Sequence, residues 1–220
     1  MGRFMTKSEI LFEKFCQARG IPYDRVPTGT AKTPDYNIYV NGTKISVEVK
    51  ETDPNPKEQQ KIKEFDSQGT ITIKNPLGTR IRGKITDASG KFKEAVQNGH
   101  PSILVLHNNV RLYKHTSPLD ILAGMYGQLY FPVSGNPGAS LRIGKIKSGP
   151  KKKMTPYANT SISAVGVLEQ SNNGDPDLSI YYNFHAKVPL NPLLLSPFYI
   201  KQYRVNDRNN PTGWIEKPPQ

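Results

Sequence analysis

Residues 35–50 alternate in character. Tyr36, Ile38, Val40, Ile45, Val47 and Val49 fall on one side of a two-residue repeat, and Asp35, Asn37, Tyr39, Lys44, Ser46, Glu48 and Lys50 on the other. Between the two runs stands Asn41-Gly42, the pair favoured where both loop residues need positive φ, so the pattern predicts a two-residue β-hairpin. With Val40 opposite Thr43, Ile38 pairs with Ile45, Tyr36 with Val47 and Asp35 with Glu48. Two carboxylates then face each other on the polar side. Like charges directly opposed disfavour a sheet, and the conflict is relieved by a shared proton or a bound cation.

Upstream, Thr6-Lys7-Ser8-Glu9 reads as a capping box ahead of Ile10, Leu11, Phe12, Phe15 and Cys16, with Gly20 closing the helix. Pro22 to Val26 reads as extended and residues 28–33 as a loop. Downstream, Pro54 and Pro56 stop the strand, and residues 57–68 are polar, either a short helix or a loop. Ile71-Thr72-Ile73 suggests a brief strand and residues 74–84 a basic, glycine-containing loop. A helix is predicted to start at Thr86-Asp87-Ala88-Ser89, with its body over residues 91–97 and Phe92, Ala95 and Val96 inward. Ser102 to His107 is a continuous apolar run of the sort buried on both faces. Pro118 to Tyr126 reads as a helix, residues 127–160 as a long excursion, and residues 161–168 and 178–184 as further strands. The order predicts an α/β fold, a mixed central β-sheet flanked by helices, with long basic loops. One domain is expected over residues 1–205, with its core at 6–107, followed by a polar C-terminal tail at 206–220.

Charge adds a partner. Thirty Lys and Arg against 18 Asp and Glu leave a net charge of +12 in 220 residues, the footprint of a protein that works on a polyanion, nucleic acid first. Lys74, Arg80, Arg82 and Lys84 in one stretch, and Lys151, Lys152 and Lys153 in another, are the candidate phosphate contacts. A single cysteine, Cys16, excludes an intrachain disulfide and a cysteine-built zinc site, which suits a reducing, cytoplasmic setting. No apolar run reaches the length of a membrane span and no signal peptide is evident, so no membrane partner is expected. Met1-Gly2 with Thr6 formally matches a myristoylation pattern. The four histidines, His100, His107, His115 and His185, lack zinc-site spacing and read as structural or surface residues.

Pro34-Asp35, twelve further residues, then Glu48-Val49-Lys50 resembles the PD-(D/E)xK signature of the restriction-endonuclease-like nucleases. The resemblance runs from about Thr6 to His107 and implies a restriction-endonuclease-like core. It further implies Mg²⁺, with Mn²⁺ as a substitute, held by Asp35, Glu48 and the carbonyl of Val49. Lys50 would orient water or stabilise the transition state, and Glu9 would supply an outer acid, with Glu13 as the weaker substitute. The expected activity is cleavage of DNA by a sequence-specific, restriction-type endonuclease acting as a homodimer. A structure-specific repair or recombination nuclease, and a non-cleaving nucleic-acid-binding protein on the same scaffold, stay open as alternatives.

Overall fold

A computed structural model describes residues 5–27, 32–72, 76–135, 142–171 and 173–217. Residues 28–31 of the segment read as a loop, Met1-Gly2, Ile73 and the candidate contact Lys74 lie outside the described residues. Helix α1 (Lys7–Ala18) begins at the expected box: the Glu9 N–H donates to the Thr6 hydroxyl, and the Thr6 N–H donates to Glu9 Oε2 at 2.7 Å. Strands β1 (Tyr23–Arg25), β2 (Tyr36–Val40) and β3 (Thr43–Thr52) follow in antiparallel order. Asn41 and Gly42 have φ of 48° and 74°, and Tyr36 pairs with Val47, Ile38 with Ile45 and Val40 with Thr43. The register is the one the turn demands.

The chain then crosses over through α2 (Pro56–Gln68), α3 (Thr79–Ser89), a 3₁₀ turn (Gly90–Phe92) and α4 (Lys93–Gln97) before reaching β4 (Ser102–Asn108). Residues 57–68 are helical because Asn55 and Glu58 form a second capping box in front of them. The expected basic loop through residue 84 is incorrect: from Thr79 onward it is helix. Ile81, Ile85 and Ala88 form a buried stripe at helical spacing that the interleaved Arg80, Arg82, Gly83 and Lys84 obscure in the sequence. Thr86 to Ser89 therefore end a helix rather than start one. Ile71 and Thr72 are not strand.

After α5 (Pro118–Tyr126), the described residues of the excursion carry four two-residue strands, β5 (Leu129–Tyr130), β6 (Val133–Ser134), β7 (Arg142–Ile143) and β8 (Lys147–Ser148), which form two small ladders. Strands β9 (Ala164–Gln170), β10 (Pro176–Tyr182), β11 (Lys201–Val205) and β12 (Trp214–Lys217) complete an eight-stranded sheet in the order β1-β2-β3-β4-β9-β10-β11-β12. Strand β4 runs parallel to both β3 and β9. The residues expected to form a tail supply β12 instead, because Trp214 packs against Tyr181 and Tyr126 and its indole N–H donates to the Pro118 carbonyl at 2.8 Å.

The sheet separates two cores. On one face Leu11, Phe12 and Phe15 of α1 pack on Val47, Val49, Ile103, Val105 and Ile180. On the other, Ile81 and Ile85 of α3, Phe92, and Ile121 and Leu122 of α5 pack on Leu104, Leu106, Val165 and Val167. Alternation along β3 assigns Glu48 and Lys50 to this second face. Among the described residues no helix is long and apolar enough to cross a membrane.

Candidate active site

Glu48 sits in the middle of the sheet, beside Leu104 of β4, and is 0% exposed. Its Oε1 lies 2.6 Å from Nζ of both Lys50 and Lys91, while Oε2 is buried without a hydrogen-bond partner. Burial first, and the charge of Asp35 second, push the Glu48 carboxyl above its ordinary pKa against the pull of the two ammoniums. Asp35 stands one residue before β2. Its Oδ2 accepts from the Val49 N–H at 2.9 Å and its Oδ1 lies 3.7 Å from Lys91 Nζ. The β2–β3 pairing begins at Tyr36 and Val47, so Asp35 and Glu48 stand one step beyond it, and Lys91 reaches both carboxylates. The N–H and C=O of one strand residue point to the same edge, so the Val49 carbonyl faces the Asp35 side as well.

Lys91 is the residue that sequence reasoning missed. It stands one position before Phe92, which is wholly buried in the second core, and the 3₁₀ turn that seats Phe92 aims the neighbouring lysine at Glu48. A lysine beside a buried phenylalanine reads as a solvated flank. The available signal was the acid pair itself, whose two negative charges call for more cation than Lys50 supplies.

Glu9 is placed differently from expectation. Its carboxylate closes the α1 capping box, and α1 packs on the sheet face opposite to the one that carries Glu48. Glu13 shares that face: it accepts from Tyr36 Oη at 3.0 Å and pairs with Arg25. Burial raises its pKa, but Arg25 and Tyr36 outweigh this and hold it below the usual range. Both acids serve the α1 face.

The basic candidates also divide. Lys84, on α3, is half-buried, and burial followed by the charge of Lys50 lowers its pKa. Arg80, four residues earlier, pairs with Glu58 at 2.5 Å, and the other Glu58 oxygen lies 2.8 Å from His115 Nε2. Arg82 is a correction. It is 8% exposed, and its guanidinium donates to the carbonyls of Leu77 and Ala123 and to Thr79 Oγ1, joining α3 to α5. Buried and internally bonded, it is not available to a phosphate. Lys151, Lys152 and Lys153 sit at the C-terminal end of α5, where the Lys153 N–H donates to the Met125 carbonyl at 3.0 Å. Arg82→Ala should therefore destabilise the fold by about 2 kcal/mol through orphaned carbonyls. Lys84→Ala should change stability by no more than about 0.5 kcal/mol. Urea denaturation of both variants checks this pair.

Among the described residues no group of three or more His, Cys, Asp and Glu side chains converges as a metal cluster. The donor set at this site is instead two carboxylates and a main-chain carbonyl. Those hard oxygens, with a buried Glu48 oxygen lacking a partner, fit a divalent cation whose remaining ligands are waters or substrate. No family model, curated protein or solved structure matches the chain.

Proposed function

We propose that the protein is a Mg²⁺-dependent nuclease that hydrolyses phosphodiester bonds in DNA, an endonuclease on a restriction-endonuclease-like core. The observation that carries this reading is the opposed pair Asp35 and Glu48, with Glu48 fully buried and Lys50 on the same strand face. A buried carboxylate with an unsatisfied oxygen costs stability, which a purely structural strand position has no reason to keep.

Asp35, Glu48 and the Val49 carbonyl would hold the metal, which supplies a water of lowered pKa and neutralises charge on the phosphate. The chain's own contribution is positioning. The Asp35 carboxylate is fixed by the Val49 N–H, and Glu48 is fixed by the sheet. The Lys50 ammonium, 2.6 Å from Glu48 Oε1, lies where it can orient a water or meet charge developing on a phosphate oxygen. Lys84 adds positive potential at the rim. A non-cleaving nucleic-acid binder is the second reading, favoured by the two ammoniums, Lys50 and Lys91, that together balance the two carboxylates.

Purified protein incubated with supercoiled plasmid, linear duplex and RNA, in Mg²⁺ or in EDTA, tests the proposal. Loss of DNA in Mg²⁺ alone is expected. Retention of duplex without cleavage in any condition would move the protein to the binding class. Duplex affinity should fall about tenfold or more between about 50 and 200 mM salt, as for at least two neutralised phosphates. A flat salt dependence would remove the lysines from the interface.

A further inference from the structure

Lys91 does more at this site than balance charge. Its Nζ lies 2.6 Å from Glu48 Oε1 and 3.7 Å from Asp35 Oδ1, so one ammonium spans the two carboxylates that the proposed function assigns to a divalent cation. We propose that Lys91 is a built-in competitor for that cation: its ammonium bridges Asp35 and Glu48 when no metal is bound and must withdraw for metal to enter, so Lys91 sets the metal affinity. The inference rests on the metal-site reading above.

Charge and placement support it. Among these four groups, two carboxylates and two ammoniums sum to zero (−2 + 2), which gives little net attraction for a divalent ion. Withdrawal of Lys91 leaves −1. Both ammoniums hang on flexible four-carbon stems, with 29% of the Lys50 and 23% of the Lys91 side chain exposed, and Lys91 reaches in from the crossover rather than from β3. It has both a bound position and a route to solvent. A phosphodiester at the rim offers the displaced ammonium a new anionic partner, so substrate and metal should favour each other's binding, and reciprocally.

The test is calorimetric titration of Mg²⁺ into the full chain for wild type, Lys91→Met and Asp35→Asn, with melting curves in EDTA and in excess Mg²⁺. Lys91→Met should bind Mg²⁺ about tenfold or more tightly. It should melt below wild type in EDTA, because Glu48 loses a cation, and its Mg²⁺-induced melting shift should exceed the wild-type shift by about 3 °C. Asp35-dependent binding that is unchanged or weaker in Lys91→Met overturns the role of Lys91 and leaves the metal site standing. Absence of Asp35-dependent binding in wild type and in Lys91→Met overturns the metal site and, with it, the competition. Should Lys91→Met not fold, Lys91→Arg, which keeps the charge, should bind Mg²⁺ no more tightly than wild type; tighter binding there overturns the proposal.

Discussion

Asp35→Ala and Glu48→Gln should each lower Mg²⁺-dependent DNA cleavage by about 100-fold or more, the scale on which removal of one preorganised electrostatic group acts. Each removes a hard oxygen from the only pair of acids that the hairpin brings face to face. Asp35 also holds the Val49 N–H at 2.9 Å, so the alanine loosens the strand end as well as the donor set. Glu48→Gln keeps the shape and removes the charge. It separates chemistry from packing better, since the buried site already disfavours the ionised carboxylate. Lys50→Ala should fall in the same range, because its ammonium lies 2.6 Å from Glu48 Oε1. Single-turnover cleavage of one duplex at saturating Mg²⁺, beside circular dichroism to confirm folding, makes the comparison. Cleavage that survives both Asp35→Ala and Glu48→Gln would remove the activity from this site.

Gly78→Ala should cost about 3 kcal/mol or more, through overpacking and a positive φ together. Gly78 caps α3 at φ 70°, its N–H donates to Asp120 Oδ1 at 3.0 Å, and an added Cβ would lie 2.4 Å from the backbone nitrogen of Gly124. The obstruction is main chain, which cannot turn aside. Helix α3 has to retreat from α5, and with it go Lys84 and the turn that aims Lys91, so cleavage should fall along with stability. Gly83→Ala is the control. It lies within the same helix with nothing within 4 Å of an added Cβ, and alanine there should stabilise by about 0.5–1 kcal/mol. Urea denaturation of both variants, with the midpoint and slope compared, tests the pair. Equal small effects would mean that the α3 and α5 backbones do not meet at Gly78.

The parts of the site that depend on local rules were legible in the sequence. A two-residue turn fixes register, register fixes which side chains oppose, and Asp35, Glu48 and Lys50 follow from Asn41-Gly42. The capping box of α1, the buried run of β4 and the span of α5 rest on equally local signals. What was not legible depends on packing between segments far apart. Arg82 looks like its basic neighbours in sequence, and the carbonyls of Leu77 and Ala123 that hold it are visible only once α3 and α5 are docked. Lys91 joins the site because Phe92 is buried beneath it. Glu9 satisfied a local pattern, the cap, and the same pattern directs its carboxylate away from Glu48. Trp214 converts a polar tail into a sheet edge through Tyr181 and Tyr126, residues that no short window brings near it.

That edge has a spectroscopic consequence. Trp214 is the single tryptophan of the chain, and it belongs to the eighth strand of a sheet whose third strand carries Glu48. Its indole is held by the Pro118 carbonyl and by two tyrosine rings, a setting that undocking of β12 would expose to water. Intrinsic fluorescence excited at the indole therefore reports the closure of the C-terminal edge, and a dye or a calorimeter is the right instrument for events at the carboxylates.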